Sequence, residues 1–176
     1  MSDNALSAGN QQERLPKLKP DYVVGLVDGE GYFSVSVSRD LSKNYKSLRV
    51  RIVFGVDLKE DDGQILYRLR DFFNCGNMSR KIDNRPTFSN CLVYQVKNYP
   101  DIKTKIIPFF QKHPLLFESK KMAFERFVDI AQRFEAKQHL TDEGFEKMKT
   151  LAKAVHGRIP RDYTPISSPN LKIRAG

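Results

Sequence analysis

Nine consecutive residues, Val23-Val24-Gly25-Leu26-Val27-Asp28-Gly29-Glu30-Gly31, set two acids and three glycines on an otherwise apolar background. Read as a short helix over 21–28 with Asp21 as its cap, the segment stacks Gly25 and Gly29, four apart, on one face. Two glycines in so short a helix cost roughly 1 kcal/mol each relative to alanine. A bare face offsets that cost where a second backbone approaches closely, as small-residue faces allow in tightly packed helix pairs. Self-association through this helix would bring two copies of Glu30 together. Glu30 falls at or just past the helix C-terminus, where unsatisfied carbonyls disfavour an anion by about 0.3 to 1 kcal/mol. A cation reverses that penalty, and carboxylates at short range are best tolerated around a divalent ion. The chemistry in view is a magnesium site at a dimer axis. The spacing alone leaves a plainer alternative open, in which Glu30 is a solvated turn acid and the glycines end the helix.

No other group of reactive residues is comparable. Asp57, Glu60, Asp61 and Asp62 stand at the start of a helix, where capping and the dipole account for acids. Lys120 and Lys121 open another helix, a usual place for a solvated face. His113, His139 and His156 have no ligand spacing, no serine or cysteine nucleophile motif stands out, and there is no phosphate-binding loop of the Walker type. Cys75 and Cys91 lie in unrelated stretches without CxxC spacing, which implies reduced thiols inside a cell and argues against zinc.

The elements that position these residues follow from periodicity. Over 32–38, Phe33, Val35 and Val37 alternate with Ser34, Ser36 and Ser38, the pattern of a strand with one wet face. Over 48–56, Val50, Ile52, Phe54 and Val56 point inward and Arg49, Arg51, Val53 and Gly55 outward, completing a hairpin. A helix opened by Asp61, Asp62 and Gly63 carries Ile65, Leu66, Leu69, Phe72 and Phe73 until Asn74 and Gly76 stop it. A second hairpin spans 77–82 and 88–96 around Asp83, Asn84, Arg85 and Pro86. Helical spacing returns over 102–110, 119–134 and 141–155, and Gly157 ends the last helix. The order implies an α+β fold, an antiparallel sheet with helices on one face, and no internal repeat. The other face must meet water or a ligand.

Thirty Lys and Arg against twenty-one Asp and Glu give a formal charge of +9 and a pI near 9.6, which favours a polyanionic partner. The basic residues are spread along the chain instead of on one amphipathic helix, so a membrane surface fits poorly. At 176 residues one domain is expected, over 16–157. The polar stretch 1–15 reads as a disordered leader without the apolar run of a signal or anchor, and the proline-rich, basic 158–176 as a flexible tail.

The segment Val23 to Gly31 resembles the motif of the LAGLIDADG homing endonucleases, keeping its second half, Gly-Leu-Val-Asp-Gly-Glu-Gly, nearly intact before an alternating strand. The resemblance spans roughly 21–134. It implies an αββαββα fold with a saddle-shaped antiparallel sheet, and motif helices that pair through Gly25 and Gly29. The last acid of the motif, Glu30, would bind the catalytic divalent ion, while Asp28 matches the more structural first acid. Ser34, Ser36, Ser38, Asp40, Arg49 and Arg51 would face DNA, with Asn77, Ser79, Lys81 and Gln95 as further candidates; arginine reads guanine bidentately and serine is more adaptable. A family glutamine that orients the attacking water aligns with Leu58, a departure that Asp57 or Lys59 would have to make good. The family's active-site lysine corresponds to Lys120 or Lys121.

One motif supplies half of a two-strand site, so the resemblance implies a homodimer with closed two-fold symmetry. The implied activity is site-specific cleavage of double-stranded DNA by metal-assisted phosphodiester hydrolysis, with Mg2+ as cofactor and Mn2+ or Ca2+ able to take its place. A long, nearly palindromic target and short 3′ overhangs are implied with it, as are an intron-encoded mobile element and a bacterial cytoplasm or organelle as the setting. Leu58 keeps an alternative open: a non-catalytic binder of the same fold, either an intron-splicing maturase acting on RNA or a DNA-binding regulator.

Overall fold

Pro20 starts the first helix, α1 (Pro20–Glu30), in a computed structural model that describes residues 17–40, 47–82 and 89–155. The expected leader and tail, Gly157 and the turn residues Asp83, Asn84, Arg85 and Pro86 lie outside the described residues. Proline suits the first helical position because its fixed φ is helical and its missing N–H would be unsatisfied there anyway. The residue before it, Lys19, is the N-cap and makes no side-chain capping bond. Asp21 therefore sits in the first turn, where the helix dipole favours an acid, and not at the expected cap. The helix also runs two residues past the expected end, so Glu30 is its last residue, and the Gly31 N–H closes on the Val27 carbonyl. Gly31 is required by space: a Cβ there would lie 2.7 Å from the Val27 carbonyl oxygen.

Strands β1 (Gly31–Asp40) and β2 (Ser47–Lys59) form the first hairpin. A 3-10 turn (Glu60–Asp62) leads into α2 (Gln64–Phe73). Neither has a side-chain cap bond, so capping does not explain the acids before α2. Glu60 instead accepts from Arg80 Nη2 at 2.7 Å, tying the end of β2 to β3, and Asp57 belongs to β2. Asn74 and Gly76 do end the helix as expected, both in left-handed conformation at φ 48° and 84°. β3 (Asn77–Lys81) and β4 (Cys91–Val96) complete an antiparallel four-stranded sheet in the order β1-β2-β4-β3. The helical course after the sheet is divided: α3 (Tyr99–Asp101), a π-helical stretch (Ile102–Ile106) and α4 (Ile107–Lys112). α5 (Glu118–Glu135), a 3-10 turn (Gln138–Leu140) and α6 (Asp142–Val155) follow. None of the described helices is long and apolar enough to cross a membrane.

The core lies between the helices and one face of the sheet. Phe33, Val35, Ile52, Phe54, Val56, Tyr94 and Val96 meet Leu66, Leu69, Phe110, Phe127 and Ile130, all buried. Phe33 packs edge-on against Phe110 with ring centroids 5.6 Å apart, and Phe54 does the same against Phe73 at 5.8 Å. Such pairs add about 0.5–1.5 kcal/mol each beyond area burial. The side chains between these positions along the strands face the other way, and the sheet therefore presents a second face away from the helices.

Candidate nucleic-acid interface and acidic centre

Two of the motif's residues have opposite surroundings. Asp28 is buried and accepts the backbone N–H groups of Leu116, at 2.8 Å, and Phe117, at 3.2 Å. Phe117 is the N-cap of α5, so Asp28 satisfies donors that this helix terminus would otherwise leave bare and pins α5 to the end of α1. Glu30 is exposed and its carboxylate makes no hydrogen bond or ion pair to another described residue. Gly25 and Gly29 are exposed, and a Cβ built on either meets nothing within 4 Å. The described residues thus give no packing reason for these glycines. Tyr22 and Leu26 border them on the same side of α1; Tyr22 is 52% exposed.

The two lysines separate. Lys120, half-buried in the first turn of α5, donates from Nζ to the carbonyl of Gly31, the residue after Glu30. Lys121 makes a loose surface pair with Glu118 at 3.8 Å. Asp28 and Lys120 therefore tie the same helix start to both sides of Glu30. Among the described residues no three metal-ligating side chains cluster.

The register places the anticipated face together. Ser34 is opposite Val53, Ser36 opposite Arg51, Ser38 opposite Arg49 and Asp40 opposite Ser47. Farther across, Asn77 pairs with Gln95, Ser79 with Val93 and Lys81 with Cys91. The pairs from Ser34 to Arg49 and from Asn77 to Lys81 belong to the face turned from the helices, and Ser36, Ser38, Arg49, Arg51, Asn77, Ser79 and Lys81 are exposed; the side chain of Asp40 lies outside the described ones. Leu58 does not share this face: it packs against the core, so a polar role at that position is excluded by the strand's alternation. Its neighbours Asp57 and Lys59 face outward instead, Lys59 in a row with Cys91 and Lys81.

Sequence reasoning missed Tyr32. Its hydroxyl accepts a hydrogen bond from Gln95 Nε2 at 2.6 Å, and its ring covers Gly55. Asp57 is close by, with a buried Oδ1 that has no hydrogen-bond partner among the described residues. Burial pushes the Tyr32 phenol above its ordinary value; the Gln95 bond opposes this and Asp57 adds to it. The available signal was phase: Tyr32 alternates in step with Ser34, Ser36 and Ser38.

A four-stranded antiparallel sheet in αββαββα order, with a motif helix that ends in an exposed acid beside a polar and basic face, defines a narrow class of α+β domain. The sequence profile described as LAGLIDADG endonuclease matches residues 23–131, and the chain belongs to that family. It is similar to a homing endonuclease of known structure, I-TnaI, at 36% identity and a TM-score of 0.69, covering 79% of this chain and 88% of that one. The structure of I-SmaMI bound to its uncleaved DNA target in the presence of calcium ions superposes with a TM-score of 0.71 at 26% identity, over 90% of this chain and 54% of that one. Among curated proteins, the chain is 26% identical to probable intron-encoded endonuclease 3 of Neurospora crassa over 82% of its own length and 27% of the relative's. It is 29% identical to homing endonuclease I-ApeII of Aeropyrum pernix over 62% of its own length and 60% of that protein's. The chain thus spans from about a quarter to three fifths of the length of these curated relatives.

Proposed function

We propose that this chain binds double-stranded DNA on the outer face of its sheet and, as a homodimer joined through α1, cuts both strands as a divalent-metal-dependent, site-specific endonuclease. One observation carries the reading: Glu30, exposed and without a partner among described residues, ends a helix whose Gly25 and Gly29 face is open. A lone carboxylate is half of a metal site, and an isologous pairing of α1 with its copy supplies the other half. The DNA-bound relative I-SmaMI is roughly twice as long as the part of it that this chain matches, which supports a second copy in the place of its second half.

Magnesium, with manganese or calcium as substitutes, would be held by Glu30 of each copy and by phosphate oxygens; when bound, such an ion activates water and polarises the scissile phosphate. Lys120, fixed at the Gly31 carbonyl, keeps an ammonium beside Glu30 to stabilise charge on the phosphate, a role that Lys121 is not placed to share. Asp57 stands on the outer face where Leu58 cannot, and is the residue available to orient water. Arg49, Arg51, Lys59 and Lys81 supply cationic contacts and the serines adaptable ones. The two-fold pairing implies a long, nearly palindromic target, and the family implies short 3′ overhangs.

The test is cleavage of a randomised-site duplex library with magnesium by the parent chain and by Glu30→Gln, each first shown to be folded and dimeric. Defined double-strand cuts by the parent alone support the reading. Selection of a DNA or RNA site without cleavage by either protein replaces it with a non-catalytic binder. Binding should weaken steeply with salt, by about 0.9 in the log-log slope for each phosphate neutralised, and a flat response would count against DNA on this face.

A further inference from the structure

Tyr32, Gly55, Gln95 and Asn77 form one row straight across the outer face, paired from β1 to β2 to β4 to β3. The Tyr32 side chain crosses β2 and brings its hydroxyl to β4, where Gln95 Nε2 donates to it at 2.6 Å. Only glycine at 55 allows the crossing, because a Cβ there would lie 2.4 Å from both Cζ and the hydroxyl oxygen of Tyr32. A glycine inside a strand weakens it and marks a close approach by another group; here that group is the phenol ring. Asp57, in the next row, keeps a buried carboxylate oxygen without a partner among the described residues.

This row carries neither lysine nor arginine, nor do the rows on either side of it, Ser34–Val53 and Asp57–Val93–Ser79; Arg51, Arg49, Lys59 and Lys81 stand two or more rows away. Phosphate contacts fix position, while sequence is read by hydrogen bonds at base edges, and a row without cations has only its oriented amide and hydroxyl groups to offer for either. The row is also the one next to Glu30, since Tyr32 follows it by two residues. Ser38 and Arg49 lie farther along the hairpin, about 20 Å away at 3.4 Å per residue.

Resting on the DNA-binding reading above, we infer that Tyr32 and Gln95 form a base-reading clamp for the base pairs nearest the cut, with an adenine as its ligand. Gln95 commits one amide hydrogen to Tyr32, which fixes the plane of the amide before DNA arrives. Its carbonyl oxygen and second amide hydrogen remain, the acceptor and donor that match adenine N6 and N7. Preorganisation of this kind removes the cost of ordering the side chain on binding. Freed from the phenol, the amide turns and accepts other base edges.

The experiment selects bound sites from a randomised duplex library with the full-length chain, Tyr32→Phe, Gln95→Leu and Arg49→Ala. Tyr32→Phe keeps the ring over Gly55 and removes only the hydroxyl, so its fold is preserved. The parent should prefer adenine at an inner pair by about 5- to 150-fold, the range of one good bidentate contact. Tyr32→Phe and Gln95→Leu should both reduce that preference to a few-fold at that same pair and leave outer positions unchanged; Arg49→Ala should alter outer positions alone. An inner-pair preference that survives Tyr32→Phe overturns the clamp. A parent that selects no site overturns the DNA-binding reading itself, a separate outcome.

Discussion

At the scale of single residues, Asp28 and Glu30 show how two acids of one motif divide their work by environment. Asp28 is a buried acceptor for two N–H groups at the start of α5, and Asn at that position would present an amide donor to one of them. Asp28→Asn is expected to cost about 1–3 kcal/mol, read as a lower denaturation midpoint. It should also reduce cleavage in the surviving folded protein, because α5 carries Lys120; a variant with unchanged stability would show that the two bonds contribute nothing. The acid at 30 and the glycines at 25 and 29 were legible in the sequence because each carries an evident local cost. Tyr32 was not, since a tyrosine at the start of a strand has an ordinary explanation until Gly55 and Gln95 are seen beside it. Leu58 likewise became interpretable only once β2 was known to continue to Lys59, where alternation turns it inward and Asp57 outward.

At the scale of elements, strict alternation made β1 and β2 readable, whereas the course after β4 was not. Pro108 lies in the first turn of α4 and has no N–H to offer the preceding turn, so a single helix over 102–110 cannot keep all its bonds, and the chain passes through a π-helical stretch there instead. The docking of α6 also depends on partners distant in sequence. Arg39 of β1 donates to Asp142 at 2.8 Å and lies 4.5 Å above the Phe145 ring, and buried Arg126 of α5 donates to the Ala154 carbonyl at 2.8 Å. Loss of Arg39 in Arg39→Ala should cost about 0.5–1 kcal/mol from the ring contact and raise hydrogen exchange in α6 above that in β2; uniform protection would refute this coupling. Between α5 and α6, His139 stacks on Phe134 with centroids 4.8 Å apart, and its buried Nδ1 has no partner among the described residues. Burial lowers its pKa below the ordinary 6.5. The unfolded chain therefore takes the proton first: this contribution to stability is intact above the ordinary value and is lost as pH falls below it. Urea midpoints should decline from about pH 7 to about pH 5.5, and His139→Phe should flatten that decline; equal slopes in both proteins would rule His139 out.

At the scale of the whole molecule, the open face of α1 has no explanation among the described residues. A Cβ at 25 or 29 meets nothing within 4 Å, so as a monomer the protein would be better served by alanine, by up to about 1 kcal/mol at each position. In a dimer joined through α1 the same methyl groups would hold the two backbones apart. The double substitution Gly25→Ala, Gly29→Ala should therefore move two quantities in opposite directions. The stability of the dilute chain should rise or stay level, and the association constant, measured by sedimentation over a range of concentrations, should fall together with double-strand cleavage. Net charge bears on the same point, because two chains of +9 repel each other and DNA relieves that repulsion. Association of the parent should accordingly tighten when duplex DNA is added. If the double variant assembles as well as the parent with and without DNA, the glycines are not the contact, and the second Glu30 must be brought to the site by another surface.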